Sequence, residues 1–262
     1  MARIIAISNQ KGGVGKSDTT RNLAHALAEH DQRVLIVDAD GQCSLTIAVG
    51  LDMRELDPIF ANVLLEKLPL KDIATAIRKT DMDGVDILPA TPELATADTA
   101  LRNRYKGEDV LANALKPVAD PYDLILIDCP PNLSLLTTNA LTAAEHVLLP
   151  LESDYMAFRG AELIMGTIRT IAEQNGGRPK LIGVVVTRHD KRTKHAEEML
   201  AEIRRVFGDA VLDPPIPLSV TARDAAANSL TVLAYRPKSK VAMAHRDIAR
   251  NLLMKYTAYE TA

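Results

Sequence analysis

The chain has 262 residues, 47% of them apolar, which is enough for one large α/β domain or two small ones with a substantial core. Aromatic residues make up 3% and tryptophan is absent, which argues against base stacking as a main binding mode, and no apolar run reaches the roughly 20 residues of a membrane span. The net charge of −3 hides an asymmetry: residues 178–255 hold 15 Lys and Arg against 8 Asp and Glu, and the remainder holds 16 against 26. The C-terminal third is therefore expected to present a polyanion-facing surface.

"RIIAIS" (3–8) is a short apolar run that reads as a buried strand, and it leads into a glycine loop with none of the layout of a signal peptide. Residues 17–30 follow as a helix with Leu23 and Leu27 on one face. The buried-strand pattern returns in "RVLIVD" (33–38), "VDILPA" (85–90), "DLILID" (123–128), "HVLLPL" (146–151) and "LIGVVVT" (181–187). Helices are expected over 134–144, 158–174, 192–207 and 238–257. Such alternation predicts an α/β fold, a single domain over 1–262 with a mostly parallel twisted sheet and helices on both faces. Residues 52–120 read less clearly, and the segments 57–68, 70–79 and 107–118 are taken as short amphipathic helices packed around the sheet. Cys43 and Cys129 are the two cysteines, too few for a metal cluster, and they suit a reducing cytosolic compartment.

The stretch "NQKGGVGKSDTT" (9–20) has the chemistry of a phosphate loop. Gly12, Gly13, Val14 and Gly15 let backbone amides approach phosphate oxygens, with a helix N-terminus behind them. Lys16 would reach the β- and γ-phosphates, and the Ser17 hydroxyl would ligate Mg²⁺. "LILIDCPP" ends a strand on Asp128, the carboxylate expected at Mg²⁺, and Pro130 and Pro131 stiffen the segment after it. In "VDADGQCSLT", Asp38 and Asp40 lie on one side of an extended segment, so one could assist the metal and the other position an attacking water.

Lys-Gly-Gly-Val-Gly-Lys-Ser, then Asp-x-Asp-x-Gln, then Asp-Cys-Pro-Pro resembles the deviant Walker A phosphate-loop ATPases, and within them the ParA/Soj partition ATPases. The likeness extends to "ILPATPEL", "NALTAAEHVLLPLESDYMAFRG", "GVVVTRHDKRTKHAEEMLAEIRRVFGD" and "YRPKSKVAMAHRDIARNLL". The resemblance implies ATP and Mg²⁺ as ligands and a homodimer in the ATP state. It makes Lys11 a cation that acts across the dimer on the other subunit's nucleotide. Lys11, Lys16 and Asp40 become the catalytic residues, with Asp38 supporting the metal site of Ser17 and Asp128. It further implies nonspecific DNA as the matrix, a ParB-like or cargo-adaptor protein that stimulates hydrolysis, a cytoplasmic, nucleoid-associated location and no membrane partner. Arg192 matches a DNA-binding arginine of the family, and Lys191, Lys194, Arg223 and Lys240 extend the basic footprint.

Several positions depart from the family pattern. Asp18 stands where the family has threonine near the α-phosphate. A carboxylate about 4 Å from a phosphate charge costs about 4 kcal/mol at an effective dielectric of 20, so Asp18 must turn away, weaken binding or pair, and Arg21 one turn on is the candidate partner. Gly41 replaces a proline after the second acid, which should loosen that segment. Leu218 and Thr221 stand where two family arginines are expected, with Arg223 a possible substitute. Three rival readings accompany the main one. They are a MinD-like membrane-surface switch, an iron–sulfur protein of the same superfamily, and a nucleotide-binding scaffold with weak or no hydrolysis.

Overall fold

The computed structural model describes residues 2–57, 60–65 and 69–260. Eight strands form one sheet in the order β3-β4-β2-β5-β1-β6-β7-β8. These are β1 (Arg3–Ile7), β2 (Val34–Asp38), β3 (Arg78–Lys79), β4 (Val85–Leu88), β5 (Leu124–Asp128), β6 (His146–Glu152), β7 (Lys180–Thr187) and β8 (Val211–Leu212). Among the described residues the β3–β4 pair alone is antiparallel. The expected mostly parallel sheet with helices on both faces is therefore what the chain forms.

Alternation along each strand builds two cores. Ile5, Ile7, Val34, Ile36, Leu124 and Leu126 point to one face, where they meet α1 (Lys16–Ala28), α10 (Val232–Tyr235) and α11 (Lys240–Glu260). Ala6, Leu35, Val37, Ile125 and Ile127 point to the other. There they meet α6 (Leu135–Ala143), α7 (Tyr155–Gln174) and α8 (Lys194–Phe207), together with the short helices α3 (Phe60–Leu64), α4 (Ala97–Arg102) and α5 (Val110–Leu115). The remaining helices are α2 (Ser44–Ala48), which follows β2, and α9 (Val220–Ala227).

Sheet register positions the site. Ile7 pairs with Asp128, and Asp128 pairs with Asp38 on its other side. Three strand ends thus meet at the carboxyl end of the central strands, where order and connection reverse and a crevice opens.

Local differences from the sequence reading have plain causes. β3 and β8 are two-residue edge strands, too short to leave a period-2 signal. Residues 70–76 form a 3₁₀ turn and lead into β3 instead of forming an amphipathic α-helix. Within 57–68 the helix covers Phe60–Leu64, while residues 58–59 and 66–68 lie outside the described residues. The helix expected from 158 begins at Tyr155, because Asp154 Oδ1 accepts the Ala157 amide at 2.9 Å and caps it. α9 has Ala225 as its buried residue, so it carries no apolar stripe that a sequence reading could find.

Candidate functional site

The loop between β1 and α1 is shaped by its glycines. Gly13 and Gly15 sit at φ 78° and 85°, the left-handed region that a side chain would strain. Gly15 is the residue from which α1 starts, and its carbonyl accepts the Thr19 amide at 2.8 Å. Val14 is fully buried, and its carbonyl accepts the Thr187 hydroxyl from the end of β7 at 2.8 Å. Asn9 donates to the Pro150 carbonyl at 2.7 Å, which ties the loop to β6 as well. Lys16 is buried, and its ammonium donates to the Lys11 carbonyl at 3.3 Å across the loop. Burial lowers its pKa, and the charge of Asp128 opposes that shift.

Three carboxylates converge at this end of the sheet. Asp128 is fully buried; the Ser17 hydroxyl stands beside it, but neither oxygen makes a well-aligned hydrogen bond. Burial and the neighbouring Asp38 raise its pKa well above the usual carboxylate range, against the pull of the Ser17 hydroxyl and Lys16. Asp38 is the least available of the three: one oxygen accepts the Asp40 amide at 3.1 Å, and the other accepts the Thr46 amide and hydroxyl at 2.9 and 2.7 Å. Burial still pushes Asp38 up to about 6. Asp40 is half-buried, and its Oδ1 accepts the Gln42 amide at 2.9 Å. Among the described residues no three His, Cys, Asp or Glu side chains form a self-sufficient metal cage. A cation bound at this end would therefore draw on one carboxylate, a hydroxyl and oxygens of its ligand, the usual habit of Mg²⁺.

Two residues singled out in the sequence have found partners. The Asp18 carboxylate accepts from Arg21 Nη2 at 3.1 Å and Asn22 Nδ2 at 2.9 Å, so the expected i,i+3 pair is made. Arg21 is buried, and its Nη1 donates to the Ala48 carbonyl at the end of α2 at 2.7 Å. Burial lowers the Arg21 pKa, and Asp18 offsets part of that. The Lys11 ammonium donates to Glu152 at 3.0 Å and Asp154 at 2.7 Å on its own chain. Burial lowers its pKa, but the two carboxylates outweigh that and the net shift is upward. Glu152 also accepts from Arg188 at 3.1 Å. Sequence reasoning missed Glu152, Asp154, Thr46 and Thr187. For the first two, a pair of acids at and just past a strand end was the available signal; Thr46 and Thr187 left none.

The basic candidates fall into two groups. Lys191, Arg192, Arg223 and Lys240 line one groove of about 630 Å³ together with His189, Pro215 and Leu218. Arg192 donates twice to Asp190, at 2.8 and 2.7 Å, and holds that carboxyl at about 2. Lys194 does not line the groove; it sits at the start of α8 beside Glu198 at 3.4 Å. Leu218, at one of the missing-arginine positions, is 47% exposed on the groove wall. Cys43 and Cys129 are both buried. Among the described residues no helix is long and apolar enough to cross a membrane.

The family model described as an AAA domain matches residues 2–181. The sporulation initiation inhibitor protein Soj of Bacillus subtilis is 35% identical over 252 residues, covering 96% of this chain and 98% of Soj. The chromosome partitioning protein ParA of Caulobacter vibrioides is 35% identical over 255 residues, covering 97% of this chain and 94% of that ParA. A solved structure of cobyrinic acid a,c-diamide synthase from Mycobacterium smegmatis, with bound ATP analogue and magnesium, is similar at a TM-score of 0.86 and 35% identity, covering 99% of this chain and 97% of its own. Likeness of this extent, with the glycine loop and the aspartates at one end of the sheet, means that the chain belongs to the ParA/Soj family of deviant Walker A phosphate-loop ATPases.

Proposed function

We propose that the chain is a nucleotide-switched positioning ATPase, working as one ParA-like domain over residues 1–262 in the cytoplasm and on the nucleoid. Mg-ATP occupies the loop, and two copies close over their nucleotides through Lys11. The dimer then holds duplex DNA without sequence preference through Arg192, Lys191, Lys194, Arg223 and Lys240. A ParB-like or cargo-adaptor protein stimulates hydrolysis and releases it. The cargo is a plasmid, a chromosome or a protein assembly.

The observation that carries this reading is the pair of fully buried oxygens on Asp128, which have Ser17 and Lys16 beside them and no well-aligned hydrogen bond. A buried carboxylate without a well-aligned hydrogen bond is costly, and a divalent cation is the group that relieves it. Ser17 and Asp128 would hold Mg²⁺, with Asp38 behind them keeping α2 in place through Thr46. Bound there, Mg²⁺ neutralises charge on the phosphate oxygens.

The chain's own residues supply the rest. Amides of residues 12–17 and the Lys16 ammonium bind anionic oxygens at the start of α1. Asp40 keeps one oxygen clear of Gln42 to orient a water. Lys11 contributes its charge across the dimer once it leaves Glu152 and Asp154, in the manner of an arginine finger. Turnover without the partner protein is expected to be slow.

The test is binding to a random-sequence duplex at low salt, with Mg-ATP in one arm and Mg-ADP in the other. Binding in the ATP arm alone supports the switch and the DNA matrix. ATP bound but DNA ignored in both arms overturns the DNA matrix, and liposomes then test the membrane alternative. No turnover with DNA and partner present leaves the nucleotide-binding scaffold.

A further inference from the structure

Two cavities meet along the face of α9. The groove of about 630 Å³ carries the cations Lys191, Arg192, Arg223 and Lys240. A second cleft of about 220 Å³ lies against the first turn of α1, lined by Gly15, Asp18 and Thr19 on one side and Ala222, Arg223 and Ala226 on the other. Pro217, Leu218, Ser219 and Arg223 line both. Of that shared wall, Arg223 alone is charged.

Every other charged residue of the two linings belongs to one cavity alone, and several are paired. In the cleft, Asp18 accepts from Arg21 and Asn22, and Arg188 donates to Glu152. In the groove, Arg192 is clamped by Asp190. Arg223 is exposed, with no hydrogen bond or ion pair among the described residues. Its long stem leaves the guanidinium free to turn either way at small cost. The cleft side already holds the negative charge of Asp18, and an anionic ligand entering it adds more. One cation beside two anion-binding cavities cannot serve both at once.

We propose that Arg223 is shared: a nucleoside diphosphate or triphosphate in the cleft draws its guanidinium inward and leaves the groove one cation short for a polyanion. This rests on the nucleotide and DNA reading above and adds its regulation. Within one protomer the coupling is antagonistic, and by linkage each ligand weakens the other by the same factor. In the ATP state, dimerisation joins two grooves on one duplex and offsets the loss through effective concentration. In the ADP-bound monomer nothing offsets it, so the same arginine that helps to hold DNA favours letting go.

The experiment measures affinity for a short random-sequence duplex across a salt series, with and without Mg-ADP, alongside binding of a fluorescent ADP. In the unmodified chain, Mg-ADP should reduce the slope of log K against log salt by about 0.9, the signature of one lost phosphate contact. Arg223→Ala should show the reduced slope in both arms and bind ADP roughly tenfold more weakly. Arg223→Lys, which keeps the charge, should retain the response of the slope to Mg-ADP. Lys191→Ala lowers the slope in both arms and leaves ADP affinity unchanged, because Lys191 lines the groove and not the cleft. Full ADP affinity in Arg223→Ala, or an undiminished response of its slope to Mg-ADP, overturns the proposal and leaves the nucleotide reading standing. An unmodified chain that binds no ADP overturns the underlying reading and the proposal with it, and one that binds ADP but no duplex in either arm overturns the proposal alone.

Discussion

The Lys11 ammonium lies 2.7 Å from Asp154 Oδ2 of its own chain, with Glu152 at 3.0 Å on its other side. The lysine that the family reading sends across a dimer is held at home in the monomer. Asp154 does two jobs at once, since its other oxygen caps α7 at the Ala157 amide. Departure of Lys11 therefore leaves the helix cap intact and Asp154 short of a cation, while Glu152 keeps Arg188. Partly exposed ion pairs of this kind contribute about 0.2–1 kcal/mol each.

Weakening that hold should favour association. Asp154→Asn keeps a good N-cap and removes the charge, and Glu152→Gln removes the other. The double variant should dimerise with Mg-ATP about two- to fivefold more readily in sedimentation velocity. Lys11→Ala should lose ATP-dependent dimerisation and hydrolysis together. Unchanged sedimentation and turnover in Lys11→Ala would remove the trans role.

Asp18 and Arg21 form a compensated pair one turn apart at the start of the loop's helix. Asp18→Thr should tighten nucleotide binding and slow release, since it removes a negative charge beside the phosphates. Arg21→Met alone should weaken nucleotide binding, because it leaves beside the ligand a carboxylate whose remaining partner, Asn22, is uncharged. In the Asp18→Thr background the same Arg21 change should matter much less. Stopped-flow release of a fluorescent ADP from the four proteins gives the coupling, expected at about 1–3 kcal/mol for residues in contact. Additive effects would mean that Arg21 serves packing alone, through its bond to Ala48.

The buried acids predict a pH response. Asp38 is raised to about 6 and Asp128 well above its usual value, both chiefly by burial. The folded chain therefore holds protons on these groups that the unfolded chain has already released above about pH 4. Their stabilising contribution is present at the acid end and is lost as pH rises, through about 6 for Asp38 and in the same direction for Asp128. Asp128→Asn removes one of the two charges. At pH 8 without nucleotide it should melt about 2–4 °C higher than the unmodified chain. It should also gain nothing from Mg-ADP, which stabilises the unmodified chain. A melting difference that stays constant from pH 5 to pH 8 would speak against this assignment.

Gly41 has a packing reason as well as a flexible one. A Cβ at this position would stand 2.9 Å from the Ala95 amide nitrogen and 3.0 Å from the Ala95 Cβ. Restoring proline should therefore cost stability, about 1–3 kcal/mol as overpacking. It should also displace Asp40 next door and slow turnover. Thermal melts and steady-state hydrolysis of Gly41→Pro test both parts. A variant with unchanged melting would show that the 92–96 segment yields freely.

The sequence by itself determined the parts of this protein that depend on local chemistry. Strand β1, the glycine loop and α1 follow from an apolar run, two left-handed glycines and a helical stripe within 26 residues (3–28). Asp38 and Asp128 were readable as strand-end acids because an apolar strand must stop where a charge begins. The Asp18–Arg21 pair was readable because it spans one helical turn. Tertiary structure alone decided the rest. Lys11 meets its carboxylates across 141 and 143 residues of sequence. Val14 is held by Thr187 across 173. The two-residue strands β3 and β8 exist because neighbouring edges pair with them, and Arg223 lies between two cavities because α9 faces the start of α1 across a cleft. Such contacts carry no periodicity. They depend on which strand ends the sheet brings together, and that order is settled by burying both faces at once.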